Sequence, residues 1–336
     1  MLDPDRNSAD SGSFPGLNFA YRFHDGLAER IAPADLRRAL KEPGGWTWLH
    51  FSLTDEGARN WIGQEAAIPD RAKTILLSDD EHLVLEPIAG GIAGVFADLL
   101  RDDQDKTRQL GRLRFALTDE LVVSGRRSAL GAIARTLEAI DAGKRFPDAV
   151  ALLETIVSHF ADAVAGVAGE LADTLDLIED HVIDNVIPGD EPQRLAPARR
   201  TAVRLHRQLA TLRLLFRRWS LPEQSELPTR IGEAAGRLAQ RLDGLDHEIA
   251  AIQERARLLQ DESGAKLAAA TNRNLYVLTI VTALLLPPTL VAGLFGMNFA
   301  DLPFTKGTGG FFWALAVAAG SAATVYVFLR WLRIMR

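Results

Sequence analysis

The sequence contains no cysteine among its 336 residues. Disulfide frameworks, thiolate metal sites, cysteine nucleophiles and iron–sulfur clusters are therefore excluded together. It also offers no glycine-rich phosphate loop after a strand, no Ser-His-Asp set and no paired carboxylates in a catalytic arrangement, so we do not expect an enzyme. The formal net charge of -6 argues against nucleic acid as a partner, because phosphate binding needs a basic face.

Charge is missing from two long stretches near the C-terminus. Residues 274–300 and 307–329 contain no Asp, Glu, Lys or Arg. A bilayer-spanning helix needs about 20 apolar residues, so each stretch is long enough. Two buried core helices are the alternative, but soluble helices of that length usually keep a polar face. We predict the order transmembrane helix 273–298, extracytoplasmic loop 299–309, transmembrane helix 310–332 and tail 333–336.

Basic residues beside these spans predict the orientation in the membrane. Three arginines follow the second span and two basic residues precede the first (Arg330, Arg333 and Arg336; Lys266 and Arg273). The connecting loop contains only Lys306, which Asp301 offsets. We therefore expect a multi-pass protein of the inner (plasma) membrane whose termini and large N-terminal body are cytoplasmic.

The N-terminal body changes its hydrophobic period once along the chain. After a disordered tail at 1–14, residues 15–142 alternate β-rich and helical runs, which predicts a cytoplasmic α/β domain with a mixed sheet. From Pro147 onward, apolar residues recur every three or four positions, which indicates long helices. The predicted strands are 17–23, 46–52, 83–87, 91–98, 112–117 and 120–124, and the shorter predicted helices are 33–41, 53–62, 67–77 and 127–142.

The helical part should form a hairpin at 143–228 and a stalk helix at 229–272. The stalk carries a heptad seam that can pack against the hairpin. Nothing after Leu259 stops it before the membrane, so stalk and first span should be one helix. The predicted fold class is an α+β membrane protein: an N-terminal α/β domain, a long helical hairpin, and a stalk helix continuous with the first of two C-terminal transmembrane helices.

The first span carries one stripe of mixed polar and apolar side chains without a full charge. Around a symmetry axis it would form rings of amide and hydroxyl oxygens between hydrophobic constrictions, the layout of a gated ion path. A helix-packing stripe whose threonines bond their own backbone would have the same period, so both interpretations stay open. The stripe consists of Asn272, Leu275, Leu278, Thr279, Thr282, Leu286, Thr289 and Gly293.

A short motif ends this span. The triplet Gly296-Met297-Asn298 follows a Pro-containing span and precedes a short loop and a final span, and residues 271–279 read TNRNLYVLT. In this arrangement the sequence resembles the CorA family of divalent metal transporters over most of its length. The resemblance implies a homopentamer in the lipid bilayer, with five copies of the first span around the pore.

The resemblance also implies roles for single residues. It places Gly296, Met297 and Asn298 in an outer selectivity ring. The negative charge of Asp301, three residues further on, could raise the cation concentration at the pore mouth. Asp261 falls where some magnesium-transporting members keep an acidic residue of a regulatory site between subunits, which makes it a candidate for cytoplasmic metal. The pore-facing positions of the family match Asn272, Leu275, Leu278, Leu286 and Thr289, whereas Thr282 falls where a small residue such as Ala is familiar.

The transported metal is harder to predict. Residues 46–52 (WTWLHFS) and 120–127 (ELVVSGRR) look more like the ZntB-type zinc branch, which suggests zinc uptake, with proton coupling as one option. Uptake of magnesium or cobalt by a CorA-type channel is the alternative. The spans contain no His or Cys, so zinc should also pass hydrated. We expect no permanently bound cofactor, and five Asn298 amides could accept hydrogen bonds from a hydrated cation.

Other residues allow more than one interpretation. The run Asp79, Asp80, Glu81 and His82 could hold a metal, although a solvated loop is favoured. Asp176, Asp180 and Asp184, with Glu179 and His181, should form a solvated acidic tip on the hairpin, with cation attraction as the alternative. From another functional class, a membrane-tethered coiled-coil scaffold or sensor would have the same spans without a pore, and it would tolerate Asn298→Ala.

Overall fold

The computed structural model describes residues 14–101, 109–183, 191–221, 229–297 and 310–331. It divides into two compact units, Met1–Gln260 and Asp261–Arg336, called here the N-terminal unit and the C-terminal unit. Helix α7 begins in the first unit and ends in the second. The helices are α1 (Leu36–Ala39), α2 (Glu56–Gln64), α3 (Asp70–Leu77), α4 (Gly131–Asp141), α5 (Ala149–Ile183), α6 (Glu191–Trp219), α7 (Thr229–Phe295) and α8 (Gly310–Trp331).

A seven-stranded mixed sheet organises the N-terminal unit. The strands are β1 (Leu17–His24), β2 (Leu27–Arg30), β3 (Trp46–Ser52), β4 (Val84–Ile88), β5 (Gly91–Leu99), β6 (Leu110–Thr118) and β7 (Leu121–Arg126). Their spatial order is β2-β1-β3-β7-β6-β5-β4. Only the β3–β7 pair is parallel within this sheet, and the other neighbours are antiparallel. The predicted mixed sheet is therefore confirmed.

Side chains alternate between the two faces of the sheet, and each face has its own core. On β3, Trp46 and Trp48 belong to the core under α4, α5, α6 and the first part of α7. The alternating residues Leu49 and Phe51 belong to the core under α1, α2 and α3. His50 is fully buried on this strand, where its Nδ1 lies 2.8 Å from the hydroxyl of Ser124. Helices thus cover both faces, as the alternation of strands and helices predicts.

The prediction from the sequence omits strand β2 and makes the helix at 33–41 too long. Strand β2 pairs with β1 through a tight turn at Asp25 and Gly26, both with positive φ (49° and 81°). Asp-Gly is a strong hairpin signal because such turns need positive φ at both central residues. The helix predicted at 33–41 is only a 3-10 turn (Pro33–Asp35) followed by the single turn of α1.

Two helices start later than predicted, and the predicted disordered tail is one residue too long. Helix α2 starts after Asp55, whose carboxylate accepts the backbone N–H of Ala58 at 3.0 Å and so caps the helix. Helix α3 begins only after Pro69. Phe14, assigned to the disordered tail, is 2% exposed and packs edge-on against Trp61, so the described chain starts inside a core. Residues 1–13 lie outside the described residues.

Helix α7 packs its predicted seam against the hairpin. Ile231, Leu238, Leu242, Ile249 and Leu259 share one core with α5 and α6. Arginines of α7 also meet acids of α5 and Asp148, the residue just before it. Their partners advance together along both helices, so the two helices run parallel. The pairs include Arg230–Asp148 (3.2 Å), Arg237–Glu154 (2.7 Å), Arg241–Asp162 and Arg255–Asp176 (2.6 Å).

Three described helices are long and apolar enough to cross a membrane: α5, α7 and α8. Half of the apolar window of α5 is buried inside the N-terminal unit, where Val157, Phe160 and Val164 join the core. The apolar windows of α7 and α8 are not buried at all. Protein packing therefore accounts for the apolar residues of α5, and only α7 and α8 need another apolar environment.

Gly91 gives a stability test of the sheet register. A Cβ atom built there would overlap the carbonyl oxygen of Leu117 on β6. Gly91→Ala should therefore lower the free energy of unfolding of the N-terminal unit by about 1–3 kcal/mol. Gly63→Ala is the matched control, since its Cβ would meet only Leu77 Cδ1 at 3.5 Å. Urea midpoints read by tryptophan fluorescence compare the two, and equal midpoints would contradict the register.

Candidate ion path

The predicted pore-lining residues form one free face of α7. All eight, from Asn272 to Gly293, are exposed, and Leu275, Leu278 and Leu286 are 55%, 61% and 61% exposed. The half-buried positions fall on a different stripe of the same segment: Ile280, Ala283, Leu284, Pro287, Pro288, Val291 and Phe295. The predicted stripe therefore lies within the larger part of the helix surface that the described chain leaves uncovered.

Helix α8 has a matching half-buried stripe. Ala314, Ala318, Ser321, Ala322, Val325 and Leu329 are half-buried, while the residues between them are mostly exposed. Because α8 and this part of α7 belong to the same compact unit, we infer that the two half-buried stripes face each other. Contact with α8 then uses the side of α7 that carries the prolines, and the predicted pore-lining side stays available to other molecules.

The three threonines on the free face bond to their own helix. Thr279, Thr282 and Thr289 donate their hydroxyl hydrogens to the carbonyls of Leu275, Leu278 and Leu285, at 2.8, 2.8 and 2.7 Å. This is the bonding that the packing interpretation predicts. It also leaves each hydroxyl oxygen with lone pairs and no free hydrogen, so toward the exposed side it can only accept. Water molecules around a cation point their hydrogens outward and can donate to such an acceptor.

The outer half of this face is open and contains no charge. Thr282, Leu286, Thr289, Gly293 and Met297 line one groove on the helix. At Gly293 a Cβ would meet no atom within 4 Å, so nothing in the described chain requires glycine there. Glycine inside a helix costs about 1 kcal/mol relative to alanine. Close approach of a molecule outside the single chain to this face would account for the glycine.

The helix ends where the sequence motif begins. The backbone N–H of Gly296 bonds the carbonyl of Ala292 at 2.9 Å, and that of Met297 bonds Leu294 at 3.4 Å. Met297 is 47% exposed at the same end as the groove. Asn298 and Asp301, the other predicted residues of the outer mouth, lie outside the described residues.

Aromatic residues mark both ends of the C-terminal helices. Helix α8 carries Phe311, Phe312 and Trp313 at its start and Tyr326, Phe328 and Trp331 at its end, all exposed. Trp313 and Trp331 are separated by about 27 Å along the helix, and Tyr276 and Phe295 of α7 by about 29 Å. A bilayer core is about 30 Å thick, and aromatic side chains concentrate at its two surfaces. Both helices thus have the length and the end residues of membrane spans.

Neither acidic cluster forms a metal site among the described residues, where no group of three or more His, Asp or Glu side chains could hold an ion. Asp79 pairs with Arg127, and this hydrogen bond is the main cause that lowers its pKa. Asp80 bonds the N–H and the ring of its neighbour His82. The favoured interpretation, a solvated loop, fits this ion pairing.

Two further predicted positions can be placed. At the hairpin tip, Asp176 and Glu179 of α5 bind Arg255 of α7, while Asp184 lies outside the described residues. This ion pairing places part of the predicted acidic tip in the contact between two helices. Asp261 is an exposed residue of α7 that already has an interaction partner. It does not belong to a three-ligand cluster in the described part of the chain.

The sequence of the chain matches one protein family and several of its known members. The model of the CorA-like Mg²⁺ transporter protein family matches residues 43–331. The chain is 28% identical over 270 residues to the zinc transport protein ZntB of Pectobacterium atrosepticum, which covers 79% of this chain and 80% of that protein. It is 26% identical over 333 residues to the divalent cation transporter CmaX of Pseudomonas aeruginosa, which covers 96% and 99%.

The fold also agrees with a solved structure over almost the full length of the chain. The solved structure of the full-length CmaX protein matches with a TM-score of 0.81 at 25% identity, over 96% of this chain and 100% of that one. The predicted fold class is therefore confirmed, including the two apolar C-terminal helices. Since the family model matches most of the chain and the complete fold agrees, the chain belongs to the CorA-like family of oligomeric membrane transporters of divalent cations and is not an enzyme.

Proposed function

We propose that the chain forms a homopentameric pore in the inner membrane and takes up hydrated divalent cations, zinc first. The observation that carries the proposal is the free face of α7, on which eight uncharged positions stay exposed from Asn272 to Gly293. Asn272 and the threonines place polar atoms on this face, and intramembrane polar residues usually face a partner helix or water. Copies of the same helix around an axis provide both.

The chemistry of the face suits an ion that keeps its water. The threonine oxygens can only accept, and amide oxygens of Asn298 at the outer mouth would add further acceptors. Mg²⁺ dehydrates reluctantly, so recognition through its water shell avoids that cost. The absence of carboxylates between Asn274 and Met297 avoids a site so deep that the ion could not leave. Asp301 would concentrate cations at the entrance.

Orientation follows from the basic residues, with both termini on the cytoplasmic side. A cation that enters from outside then moves down the membrane potential. For a divalent ion this supplies about 4.6 kcal/mol per 100 mV. Because this driving force is large, uptake needs no further energy source, and proton coupling is an additional option. No titratable side chain lies between Asn274 and Met297 except Tyr276.

Two arguments bear on the metal. The family model is described for Mg²⁺ transporters, whereas several similar proteins at 25–28% identity are described as zinc transport proteins. We place zinc ahead of magnesium and cobalt because residues 46–52 and 120–127 also resemble the sequences of the zinc branch.

The selectivity ring is tested by Asn298→Ala. Loss of the amide acceptors should lower divalent flux into proteoliposomes at least tenfold while the oligomer still assembles, because the side chain is proposed to contact the ion rather than the neighbouring subunit. Asn274→Ala is the matched control, because this amide lies on α7 but is not part of the predicted stripe. A membrane-tethered scaffold would tolerate both changes. Unchanged flux in Asn298→Ala would therefore exclude a selectivity ring formed by Asn298.

The threonine acceptors are tested by Thr289→Val. The substitution removes the hydroxyl from all five copies, and the loss of even one hydrogen bond to the hydrated ion, about 1 kcal/mol, should lower the flux at least fivefold. Thr324→Val on α8 is the matched control, because its hydroxyl donates in the same way to Gly320 at 2.8 Å. Equal effects of the two substitutions on flux would mean that the hydroxyl of Thr289 serves only the helix.

Metal choice is tested by uptake of Zn²⁺, Mg²⁺ and Co²⁺ into proteoliposomes, each with and without a pH gradient. We expect zinc uptake to exceed the other two. If the gradient accelerates uptake, protons are coupled to transport; if it does not, the pore is a channel driven by the potential. Magnesium or cobalt uptake above that of zinc would assign the chain to the alternative.

A further inference from the structure

A buried carboxyl group lies between the sheet and the start of α4 in the N-terminal unit. Asp98, near the end of β5, is 2% exposed. Its Oδ2 accepts the backbone N–H of Ala132 at 2.9 Å, and the N–H groups of Leu99 and Ile133 also contact the carboxyl. Helix α4 has no side-chain cap of its own at Leu130, so Asp98 caps it from the sheet.

The second oxygen of this carboxyl has no partner. Oδ1 is buried and makes no hydrogen bond among the described residues. Asp98 lines a cavity of about 10 Å³ whose other lining residues are all apolar, among them Phe96, Phe160 and Leu212. This volume is at the lower limit for one water, and a bound water needs two to four polar partners. A negative charge on Asp98 would therefore face a space that cannot solvate it.

Neighbouring groups do not offset the cost of burying a negative charge on Asp98. Desolvation raises the pKa of Asp98 to about 7 against the opposing effect of the helix N–H groups and of Arg135 on α4. On α5, His159 bonds Thr136 at 3.1 Å, and burial lowers its pKa, so it is mostly neutral at pH 7.

The charged groups on the remaining neighbours point elsewhere. Arg112 of β6 bonds the carbonyl of Glu81, and Arg213 and His206 of α6 bind Asp243 and Asp246 of α7. Among the described residues, these elements therefore bring no cation to the unpaired oxygen of Asp98.

We propose that Asp98 is a buried proton-binding site that makes the packing of the N-terminal unit sensitive to pH near neutrality. With the proton bound, the cavity stays dry and β5 packs against α5 and α6. When the proton leaves, the carboxylate draws water into the gap between Phe96, Phe160 and Leu212 and loosens this contact. Because α5 is ion-paired along α7, the looser packing reaches a helix that continues into the candidate ion path.

The sign of the effect on stability follows from proton binding. The folded chain keeps a proton on Asp98 up to a pH of about 7, whereas the unfolded chain releases it near the ordinary value of 3.8. The group therefore contributes stability that is complete below about pH 4 and is lost as the pH rises toward 7. The folding constant of the wild type should fall by up to tenfold per pH unit in this window, relative to a variant without the group.

The test compares wild type, Asp98→Asn and Asp55→Asn as full-length chains in detergent, by urea unfolding of the N-terminal unit between pH 5 and 8.5. Asp98→Asn keeps an oxygen acceptor for the helix N–H groups but cannot titrate. Asp55→Asn is the matched control, because Asp55 also caps a helix but is only half-buried. We expect the ratio of wild-type to Asp98→Asn folding constants to fall from pH 5 to 7 and to level off above.

The three proteins should differ in how their stability depends on pH. Asp55→Asn should retain the pH dependence of the wild type, and Asp98→Asn should lack the part of it that Asp98 contributes between pH 5 and 7. An unchanged pH dependence in Asp98→Asn would overturn the proposal. If Asp98→Asn does not fold, infrared spectra of the wild type decide: a carbonyl stretch of a protonated carboxyl that disappears near pH 7 supports the site, and its absence at pH 6 overturns it. Neither measurement depends on which metal is transported.

Discussion

The structure depends on how one helix is covered along its length. In its first part, the apolar seam of α7 is buried by α5 and α6, and arginines beside the seam bind acids of α5. In its last part, the same helix exposes leucines and threonines that the described chain does not cover. A face of this kind is unfavourable in water because of its leucines and unfavourable in lipid because of its polar atoms. In the proposed pore, the leucines would close against those of neighbouring copies, and the polar atoms would face water along the axis.

This constraint explains where charge is used in the chain. In the N-terminal unit, ion pairs at the helix surface set the parallel register of α5 and α7, although each exposed pair adds little free energy. In the span, a single carboxylate would hold a divalent cation too strongly, and a single arginine would repel it. Neutral oxygens remain as the polar groups that can assist the ion without trapping it.

Much of the architecture could be predicted because long periodic patterns are local. The long helices from residue 149 onward lie where the sequence predicts long helices, since apolar residues recur there every three or four positions. The stripe on α7 was predictable for the same reason. Strand β2 was missed because four residues carry no period, although the Asp25-Gly26 turn signalled it. Phe14 was misplaced because its partner Trp61 is far away in the sequence.

Asp98 shows why the remaining features escape sequence reasoning. In the sequence it is one acid at the end of the apolar run GIAGVFADL, where an exposed strand end would be the ordinary expectation. Only the fold brings the start of α4 to its side chain and places Phe160 and Leu212 around its second oxygen. Its chemistry therefore comes from residues more than thirty positions away. Periodicity predicts which face of an element is buried, but the properties of a buried ionisable group depend on which other elements meet there.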